Sequence, residues 1–403
     1  MAEAERLTAQ VAVVGAGPAG LTAAIALSAS GIDTVLVGPA ARTDHRTTAL
    51  MNGSICALET LGVWEDCAAQ AAPLRQLRIV DDTGRLIRAP EALFDADEIG
   101  LDAFGYNIEN RHLVAALERR AAQLPALRRI ADEAIAVEPG GDRGTLRLAN
   151  RRIEAALVVG ADGHRSLCRA AAGIAMRTWH YDQHALTFNI RHSRPHHDIS
   201  TELQTRTGPF TLVPLPGARS SIVCVVDPAT AADLVQYDDA ALAAEIERRS
   251  HAILGRVEVE PGRGHFPLSG ETANSFGAAR IALVGEAAHR FPPIGAQGLN
   301  LGLRDAASIA ELAADTVRAG GDPGDAETLA RYDRMRRVDV ESRSLAVDLL
   351  NRTLLSDLLP LQGARGFGIY LLNRVAPLRR MVMREGIAPV VAQPRLMRGE
   401  TLV

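Results

Sequence analysis

The sequence predicts a mixed α/β protein with a nucleotide-binding domain, an inserted antiparallel β-sheet domain and a helical C-terminal region. Three observations predict this class. A strand, a glycine-rich turn, a helix and a second strand follow one another within Val11–Val37. Residues 176–275 change to short alternating or apolar runs separated by Pro and Gly. Helical patterns return in the last part of the chain.

Composition indicates an ordinary soluble protein of two or three domains. The 403 residues are 47% hydrophobic, and a net charge of −4 gives no basic excess of the kind that nucleic-acid binding needs. The four cysteines show no CxxC spacing, so neither a metal site nor a disulfide framework is expected, and they fit a reducing cytoplasm. The polar, acidic N-terminus does not have the pattern of a signal peptide.

Hydrophobic periodicity predicts the elements of the nucleotide-binding domain in chain order. They are strands at Val11–Val14, Thr34–Val37, Leu157–Val159 and Ile281–Val284, and helices at Leu21–Ser30, Arg46–Val63, Asn110–Leu124 and Leu301–Arg318. A strand–turn–strand is expected at Leu74–Arg88, around the turn residues Asp82–Gly84.

The inserted domain is predicted as an antiparallel sheet crossed by one helix. Its strands are expected at Leu186–Arg191, Phe210–Val213 and Ser221–Val226, and its helix at Ala240–Leu254. We therefore divide the chain into a discontinuous nucleotide-binding domain of residues 1–75, 105–175 and 276–350, and an inserted domain of residues 76–104 and 176–275. Residues 351–403 form a helical region with breaks expected at Pro360, Gly363, Pro377 and Gly386.

The turn GAGPAG at residues 15–20 is the first chemical motif. Gly15 permits the sharp turn, Gly17 lets the backbone approach a pyrophosphate, and Gly20 lets the helix pack against the strand. The phosphates would lie at the helix N-terminus, on free N–H groups. The second strand lacks the usual acid for the adenosine ribose, because Gly38 occupies that place. Asp33 and Asp44 are poorly placed substitutes, so the ribose contact stays unassigned.

Two later loops also connect a strand to a helix. In VVGADGHRSLCR, Val158–Arg169, the strand delivers Asp162 and Gly163 to a turn that taken alone is better explained as structure. In LVGEAAHRFPPIGAQGLNLGLRDA, Leu283–Ala306, a glycine-rich loop opens onto a long helix, whose N-terminus suits an anionic or polarised group such as a flavin carbonyl. His289 alone is more typical of packing than of catalysis.

Together, these motifs resemble the class A flavin monooxygenases of the para-hydroxybenzoate hydroxylase type, over nearly the whole chain. That family has an N-terminal GxGxxG, a middle DG motif, and a late GD motif followed by PxxGxxGxN, which here is PPIGAQGLN at Pro292–Asn300. The segments RTTALMNGSICALETLGVW, Arg46–Trp64, and GAQGLNLGLRD, residues 295–305, are similar to the ubiquinone-biosynthesis hydroxylases. The resemblance implies a Rossmann-like FAD-binding domain with an inserted substrate domain.

The resemblance also implies which residues contact FAD. The expected contacts are Gly15, Gly17, Pro18, Ala19 and Gly20 at the pyrophosphate, Arg46 near it, Arg111 on the helix approaching the flavin, Asp162 and Gly163 at the FAD and nicotinamide sites, Gly285 and Glu286 at the ribityl chain, and Pro293, Gly295, Gln297, Gly298, Leu299 and Asn300 along the isoalloxazine. Glu286 replaces the family's Asp and is one methylene longer, so its contact would be shifted. No catalytic base is assigned, since His180, Tyr181 and His184 are better explained as structural. The flavin-face loop, with Pro293, Gly295, Gln297 and Gly298, is the part expected to support the chemistry.

The implied reaction is hydroxylation of the aromatic ring of a polyprenylated phenol in ubiquinone biosynthesis, with NAD(P)H and O2 as co-substrates. The pocket would lie between the Pro293–Gly298 loop and the sheet of residues 176–275. Three alternatives remain open: a NAD dehydrogenase, which explains only the first motif; a flavoprotein that hydroxylates another small aromatic or reduces a prenyl chain; and a non-catalytic FAD-binding scaffold. Membership of a quinone-biosynthesis complex and a homo-oligomeric state are also left open.

A prenylated substrate would need access to a membrane. The C-terminal region mixes apolar with basic residues, namely Leu354, Leu355, Leu358, Leu359, Leu361, Tyr370, Leu371 and Leu372 with Arg374, Arg379, Arg380 and Arg384. This mix suits a peripheral interfacial segment, but packing against the FAD-binding domain explains the leucines somewhat better. We expect a cytoplasmic protein, with peripheral contact to the inner face of the membrane as a secondary hypothesis.

Overall fold

A computed structural model describes residues 5–40, 44–85, 88–293, 295–355, 359–387 and 393–403. Within these residues the protein is built from three β-sheets and surrounding helices, which confirms the predicted mixed α/β class. Strands and helices are numbered in chain order below.

The first sheet is the core of the nucleotide-binding domain, and its central strands run in order β18-β19-β11-β1-β2-β8. Its strands are β1 Glu5–Val14, β2 Thr34–Val37, β8 Leu127–Ile130, β9 Ala136–Glu138, β10 Gly144–Arg147, β11 Arg151–Gly160, β18 Gly277–Ala278 and β19 Ile281–Leu283. The parallel register aligns Val14 with Val37 and Gly160, and Gly160 with Leu283. The carboxyl ends of four strands therefore meet at one edge, where open α/β sheets bind their ligands.

The second sheet is largely antiparallel and has the order β20-β17-β12-β15-β14-β13-β5-β6, with β16 beside β12. Its strands are β5 Gln76–Asp81, β6 Ala92–Asp95, β12 Met176–His192, β13 Ile199–Gln204, β14 Pro209–Leu215, β15 Arg219–Val226, β16 Val257–Val259, β17 Gly264–Ala273 and β20 His289–Arg290. The predicted antiparallel sheet is confirmed, and its strands are longer than the apolar runs suggested.

A small third sheet and the helices complete the described fold. The sheet contains β3 Thr47–Met51, β4 Ala71–Pro73 and β7 Gly105–Glu109. The helices are α1 Pro18–Ala29, α2 Asn52–Thr60, α3 Glu65–Ala68, α4 Asn110–Ala122, α5 Leu167–Ala171, α6 Pro228–Gln236, α7 Asp239–Arg249, α8 Gln297–Arg318, α9 Ala326–Leu355, α10 Leu359–Arg374 and α11 Ala376–Ile387.

Three predicted elements were wrong in detail. The expected helix Arg46–Val63 begins as strand β3, because the β-branched Thr47 and Thr48 pair with β7 and this tertiary pairing overrides the leucine periodicity. The expected hairpin at Leu74–Arg88 closes later, since β5 pairs with β6 at Ala92–Asp95.

The third difference lies in the C-terminal region. Helix α10 continues through Gly363, so this residue does not break a helix, whereas α10 ends at Arg374 and α11 begins at Ala376, next to the expected break at Pro377, and Gly386 lies in the last turn of α11. Pro360 lies in the first turn of α10 and Pro377 in the first turn of α11, where a missing N–H costs no helical hydrogen bond. Leu358 lies outside the described residues.

The domain partition remains a prediction, and the structure adds two facts to it. Strand β20 belongs to the second sheet although it lies in the third segment of the nucleotide-binding domain. Leu396, Met397 and Leu402 are buried in the core of the nucleotide-binding domain, whereas α11 contacts the second sheet's side of the molecule through Met383. The last eleven residues therefore differ from the helices before them in what they pack against.

Candidate active site

The three sequence motifs converge at the carboxyl edge of the first sheet. The N–H of Gly15 donates to the carbonyl of Val37 at 2.7 Å, and the N–H of Ala161 donates to the carbonyl of Val14 at 2.7 Å. Gly15 has φ +109°, and a Cβ there would lie 2.2 Å from the carbonyl oxygen of Ala161. The first turn and the DG turn thus touch directly, through a position that only glycine can occupy.

The third motif joins the same point through the first turn of α1. A Cβ at Gly20 would lie 1.9 Å from the carbonyl oxygen of Gly15, so the helix packs closely on the strand that precedes it. A Cβ at Gly285 would lie 3.2 Å from the methyl group of Ala19, and a Cβ at Gly302 would lie 3.4 Å from it. Helices α1 and α8 therefore begin side by side, with Gly285 between them.

Both helices begin with unoccupied hydrogen-bond donors. Within the described residues, α1 has Gly17 and α8 has Ala296 as N-cap, neither first turn contains an acid, and no side chain caps either end. A Cβ at Gly17 or at Gly298 would meet no atom within 4 Å. Uncapped N–H groups beside glycines whose Cβ direction is open fit the pyrophosphate of FAD at α1 and a polarised flavin carbonyl at α8. The site therefore fits the cofactor that the sequence resemblance implies.

Arg46 and Arg111 lie beside this site but are held by acids of the protein. Arg46 forms an ion pair with Asp44 at 2.9 Å, and this pairing raises the pKa of the Arg46 guanidinium, with a smaller contribution from Glu286. Arg111 pairs with the buried Glu109 at 2.8 Å. Both arginine side chains keep an exposed portion that a phosphate could reach. Glu286 is exposed next to the buried Gly285, so its carboxylate is accessible to a ligand.

Asp162 has a structural role in the described chain. Its carboxylate accepts hydrogen bonds from Ser166 Oγ at 2.6 Å and from the N–H of Cys168 at 3.1 Å, and so caps the short helix α5. Gly163 has φ +79° and completes the turn. The structure places this turn against Gly15, and the expected nicotinamide contact of Asp162 remains a prediction.

Asn300 positions the flavin-face loop instead of presenting its amide to solvent. Its Oδ1 accepts from the N–H of Met51 at 2.8 Å and from Ser54 Oγ at 2.7 Å. Its Nδ2 donates to the carbonyls of Ala49 at 2.8 Å and Ala296 at 2.6 Å. The amide thus ties α8 to β3 and α2, and it holds Ala296 in a left-handed conformation with φ +53°. Any contact of Asn300 with the flavin is left to its backbone.

The remaining loop residues differ in exposure. Gly295 and Gly298 are exposed, Pro293 is partly buried, and Leu299 packs against the core of the nucleotide-binding domain. Gln297 is bound on both sides: its Nε2 donates to the carbonyl of Gly295 at 2.9 Å, and its Oε1 accepts from Arg343 Nη1 at 2.7 Å.

Sequence reasoning missed the buried ion-pair ladder that supports this loop. We define the ladder as Arg304, Asp305, Arg336, Asp339 and Arg343. Asp305 accepts from the N–H of Gly285 at 2.9 Å, from His289 Nε2 at 2.7 Å and from Arg336 Nε at 2.6 Å. Arg336 continues to Asp339 at 2.9 Å.

Arg343 closes the ladder onto the flavin-face loop, because it bonds both Asp339, at 3.0 Å, and Gln297. Burial alone would raise the pKa of the Asp339 carboxyl, but Arg336, Arg304 and Arg343 together lower it to about 2. The ladder therefore stays ionised and links the Gly285 loop to Gln297 by charged contacts. His289, expected to be structural, is confirmed as a buried partner of Asp305.

The second sheet has one face covered and one face turned toward this site. Helices α6 and α7 cover the outer face, where Phe188, Leu203, Phe210 and Ile222 are buried with them. On the opposite, inner face, Asn189 Nδ2 donates to the carbonyl of His45, the residue before Arg46, at 3.4 Å. The inner face therefore borders the cofactor side, where the sequence predicts the substrate pocket. A surface cavity of about 430 Å³ lined by Thr201 and Leu212 lies on the outer face and is not this pocket.

Tyr181 and His184, near the start of β12, contact neighbouring side chains. His184 Nδ1 and His265 Nε2 of β17 are 2.8 Å apart, and Trp179 Nε1 donates to the Tyr181 hydroxyl at 2.8 Å. These contacts agree with leaving Tyr181 and His184 unassigned as bases, and His180 also stays unassigned.

Comparison with known proteins identifies the family of this chain. Residues 8–342 match the model of a protein family described as FAD binding domain. The chain belongs to this family. Within the FAD-binding family it is 35% identical over 407 aligned residues to ubiquinone hydroxylase UbiL of Rhodospirillum rubrum, covering 98% of this chain and 94% of that protein. It is 29% identical to 3-demethoxyubiquinol 3-hydroxylase of Escherichia coli, covering 93% and 97%.

Solved structures share the fold of this FAD-binding protein. p-Nitrophenol 4-monooxygenase of Pseudomonas putida superposes with a TM-score of 0.78 at 19% identity, covering 94% of this chain and 98% of that one. The protein is an FAD-dependent enzyme of the flavin monooxygenase class, as the motif order implied. In the described part of the chain, no group of acids, histidines and cysteines is arranged to hold a metal ion, and no helix is long and apolar enough to cross a membrane.

Proposed function

We propose that this protein hydroxylates the aromatic ring of a prenylated phenol in ubiquinone biosynthesis, using NAD(P)H and O2. The observation that carries the proposal is the convergence of the three motifs. They bring two uncapped helix N-termini together beside the inner face of the second sheet. The names of the relatives, two of which are ubiquinone or ubiquinol hydroxylases, support the substrate class.

The protein's part in this reaction is binding, orientation and exclusion of water. When FAD is bound, it provides the chemistry of the reaction, which is electron uptake from NAD(P)H and activation of O2. The N–H groups at the start of α1 would hold its pyrophosphate, and those at the start of α8 would stabilise negative charge on the flavin carbonyl. On the inner face, Ala185, Val225 and Leu268 form an apolar cluster that would keep one wall of the pocket dry.

The test is a single turnover with the purified FAD-loaded protein. The flavin is reduced photochemically, so that no assumption is made about the electron donor, and the protein is mixed with ¹⁸O₂ and 2-farnesylphenol. We expect one labelled oxygen atom in a hydroxylated product. A parallel steady-state assay should show NAD(P)H oxidation that rises when the phenol is added. Bound FAD without any labelled product would overturn the proposal and favour the non-catalytic scaffold.

A second substrate series separates the proposal from its nearest alternative. Phenol, 4-hydroxybenzoate and 2-farnesylphenol differ in size and in the presence of a prenyl chain. We expect kcat/KM to be highest for 2-farnesylphenol. If a small unprenylated phenol is preferred, the protein is a hydroxylase of another aromatic.

We further propose that helices α10 and α11 make peripheral contact with a membrane that supplies the prenylated substrate. Phe367, Tyr370, Val375, Met381 and Val382 are exposed large apolar side chains on or between these two helices. Arg374, Arg380 and Arg384 are exposed on the same elements. Exposed apolar and basic side chains together suit an anionic interface. The leucines at positions 354–361 carry no part of this argument.

Flotation with vesicles of phosphatidylglycerol and phosphatidylethanolamine tests the membrane contact. A deletion of residues 350–403 would also remove the buried Leu396, Met397 and Leu402, so point substitutions are preferable. We expect Phe367→Glu with Met381→Glu to abolish flotation, while Val403→Glu, at an exposed terminal residue, leaves it unchanged. Failure of the unaltered protein to float would overturn the contact.

A further inference from the structure

One acidic side chain on the inner face of the second sheet has no role in the site described so far. Side chains alternate between the two faces of a strand, and Leu203 is buried on the outer face with Phe210 and Ile222. Glu202 therefore points to the inner face. Its register partners are Ile79 on β5 and Thr211 on β14. Glu202 as a whole residue is half-buried.

A chain of contacts runs from the flavin-face loop to the face of the sheet that carries Glu202. Asn300 at the start of α8 binds the N–H of Met51, and the next N–H, that of Asn52, donates to the carbonyl of Phe104 at 3.2 Å. The Phe104 side chain lies in a cluster with Leu77 of β5. Leu77 and Ile79 lie on the same inner face, two residues apart. Glu202, beside Ile79, therefore lies on the face of the sheet that carries the Phe104 cluster.

Glu202 lacks the partners that acids elsewhere in the protein have. Among the described residues no Arg or His forms an ion pair with it, and its one hydrogen bond is a long 3.5 Å contact from Gln204 Nε2. Burial raises the pKa of the Glu202 carboxyl, and this weak hydrogen bond only partly opposes the effect. Such a carboxylate has spare acceptor capacity in a region shielded from water.

Gln204 provides a second and independent sign of a missing ligand. It lies two residues along β13 on the same inner face and is 95% buried, with a relative exposure of 5%. Its Oε1 has no hydrogen-bond partner within the described chain. Buried polar atoms are nearly always paired, so an orphaned acceptor next to an underused carboxylate indicates a hydrogen-bond donor that the protein itself does not provide.

The surroundings of Glu202 suit a ligand that is polar at one end and apolar at the other. The cluster beside it contains Leu77, Phe94 and Phe104 together with Met383 of α11. Helix α11 also carries the exposed Met381 and Val382. An apolar track therefore runs from the neighbourhood of Glu202 to the exposed face of the C-terminal helices.

We propose that Glu202 binds the phenolic hydroxyl of the substrate, accepting its hydrogen bond while the apolar chain lies along Leu77, Phe104 and Met383. This inference rests on the proposed function and names the residue that recognises its substrate. The hydrogen bond runs from the phenol O–H to the carboxylate, and no covalent bond forms or breaks at Glu202. An anionic acceptor raises electron density in the ring, which favours attack by an electrophilic oxygen.

The experiment compares 2-farnesylphenol with its methyl ether, in which a methyl group replaces the hydroxyl proton and removes the hydrogen-bond donor. Binding to the FAD-loaded protein is followed through the flavin absorbance, and product is measured across pH. The variants are Glu202→Gln, Glu202→Asp and, as a matched control, Glu258→Gln at an exposed position of the same sheet. Hydrogen bonds to a charged acceptor predict a preference for the phenol of about 10–100-fold in the unaltered protein.

We expect Glu202→Gln to reduce this preference to within about 3-fold and Glu202→Asp to give an intermediate value, by the same hydrogen-bond argument. Glu258→Gln should leave the preference unchanged. Product formation should fall at acid pH in the unaltered protein, as Glu202 is protonated, and this acid limb should be missing in Glu202→Gln. If Glu202 had only a structural role, the fall of product formation at acid pH would remain in Glu202→Gln.

Two results would overturn the inference. If Glu202→Gln changes neither the preference for the phenol nor the pH profile of product formation, the contact with Glu202 is excluded. The hydroxylase function would still stand. If the unaltered protein binds neither ligand, the proposed function fails and the inference fails with it. Should Glu202→Gln not retain FAD, Glu202→Asp decides, because an unchanged preference in that variant excludes the contact.

Discussion

At the end of β2, Gly38 stands where an acid for the adenosine ribose is expected, and the space around its Cα explains why no larger residue is found there. A Cβ at Gly38 would lie 2.6 Å from the backbone nitrogen of Ala16 and 2.9 Å from its Cβ. Ala16 stands between Gly15 and Gly17, so a side chain at position 38 would push into the phosphate-binding turn. The carbonyl of Gly38 is instead bound by Arg129, which pairs with Glu118. Asp33 and Asp44 form ion pairs with Arg128 and Arg46.

Restoring the usual acid should therefore harm the cofactor site. We expect Gly38→Asp to weaken FAD binding at least about 10-fold, because the clash displaces the turn, and each factor of ten corresponds to about 1.4 kcal/mol. Titration of the apoprotein with FAD, followed by flavin fluorescence, measures the change.

Two further variants separate the clash from the charge. Gly38→Ala adds only the methyl group and should weaken binding nearly as much. Pro39→Asp places the carboxylate at the next, exposed residue and should change binding less. Tighter FAD binding by Gly38→Asp would show that the turn can yield and that the acid is simply absent.

At the scale of elements, α8 and α9 act as one support for the flavin-face loop. The motif GLNLGLRD predicts the start of α8, and the glycine pattern predicts its approach to a ligand. Nothing in the sequence around Arg336, Asp339 and Arg343 predicts a function, because their spacing on α9 is also typical of a solvated helix face. Only the packing of α9 on α8 turns these charges inward, and contacts of that range cannot be read from local spacing.

Asp339 should be the member of the ladder on which stability depends most. It compensates three arginines, and Asp339→Asn leaves Arg304 buried without its partner and Arg336 with Asp305 alone, so we expect a loss of about 3–5 kcal/mol in the free energy of unfolding. Glu341→Gln, at an exposed position of the same helix, should change it little. Denaturant unfolding of the FAD-loaded proteins at neutral pH measures both, and equal stability of the two variants would contradict the prediction.

The same residue predicts a dependence on pH. The pKa of Asp339 is depressed to about 2 in the folded protein, against about 3.9 in an unfolded chain. The contribution of Asp339 to the free energy of unfolding is therefore complete when the pH is above its pKa in the unfolded chain. It is lost as the pH falls from about 4 to 2. We expect the unfolding free energy of Asp339→Asn to change less over this interval than that of the unaltered protein.

Arg343 should affect the coupling of NAD(P)H oxidation to product formation more than it affects the free energy of unfolding. It is the contact between the ladder and Gln297 of the flavin-face loop. Arg343→Met keeps an unbranched apolar stem but removes the guanidinium group and both hydrogen bonds. We expect FAD to remain bound while less product forms per NAD(P)H consumed and more hydrogen peroxide appears, since the loop is less well positioned. Arg334→Met, at an exposed position of α9, is the matched control. An unchanged ratio of product to NAD(P)H in Arg343→Met would contradict this role.

For the whole molecule, the sequence predicted the two main sheets and the three loops that meet at their border. These features depend on local signals: apolar runs, turn glycines and motif order. The third sheet was missed because β3, β4 and β7 come from distant parts of the chain, and their pairing outweighs local periodicity. Glu202 was not singled out for a related reason, since the role proposed for it depends on the pairing of β13 with β5 and β14.

The last eleven residues of the chain pack against helices of the nucleotide-binding domain. Residues 351–403 look like one helical region in the sequence, yet the last eleven residues return to the nucleotide-binding domain. The N–H of Arg395 donates to Glu311 of α8 at 2.7 Å, and Arg318 of α8 binds the carbonyl of Leu402. A Cβ at Gly53 of α2 would lie 3.4 Å from the sulfur of Met397. The segment thus braces α2 and α8, the two helices that Asn300 joins.

Removal of residues 393–403 should therefore destabilise the cofactor site, even though these residues are distant from it in sequence. Burial of Leu396, Met397 and Leu402 is lost, and Met397→Ala alone should cost about 2–5 kcal/mol through the cavity it leaves. We expect the truncated protein to unfold at a lower temperature and to release FAD more readily, measured by thermal unfolding and flavin fluorescence. Removal of the exposed Val403 alone is the control and should have little effect. A truncated protein that keeps both its unfolding temperature and its FAD would show that α2 and α8 hold the flavin-face loop without this brace.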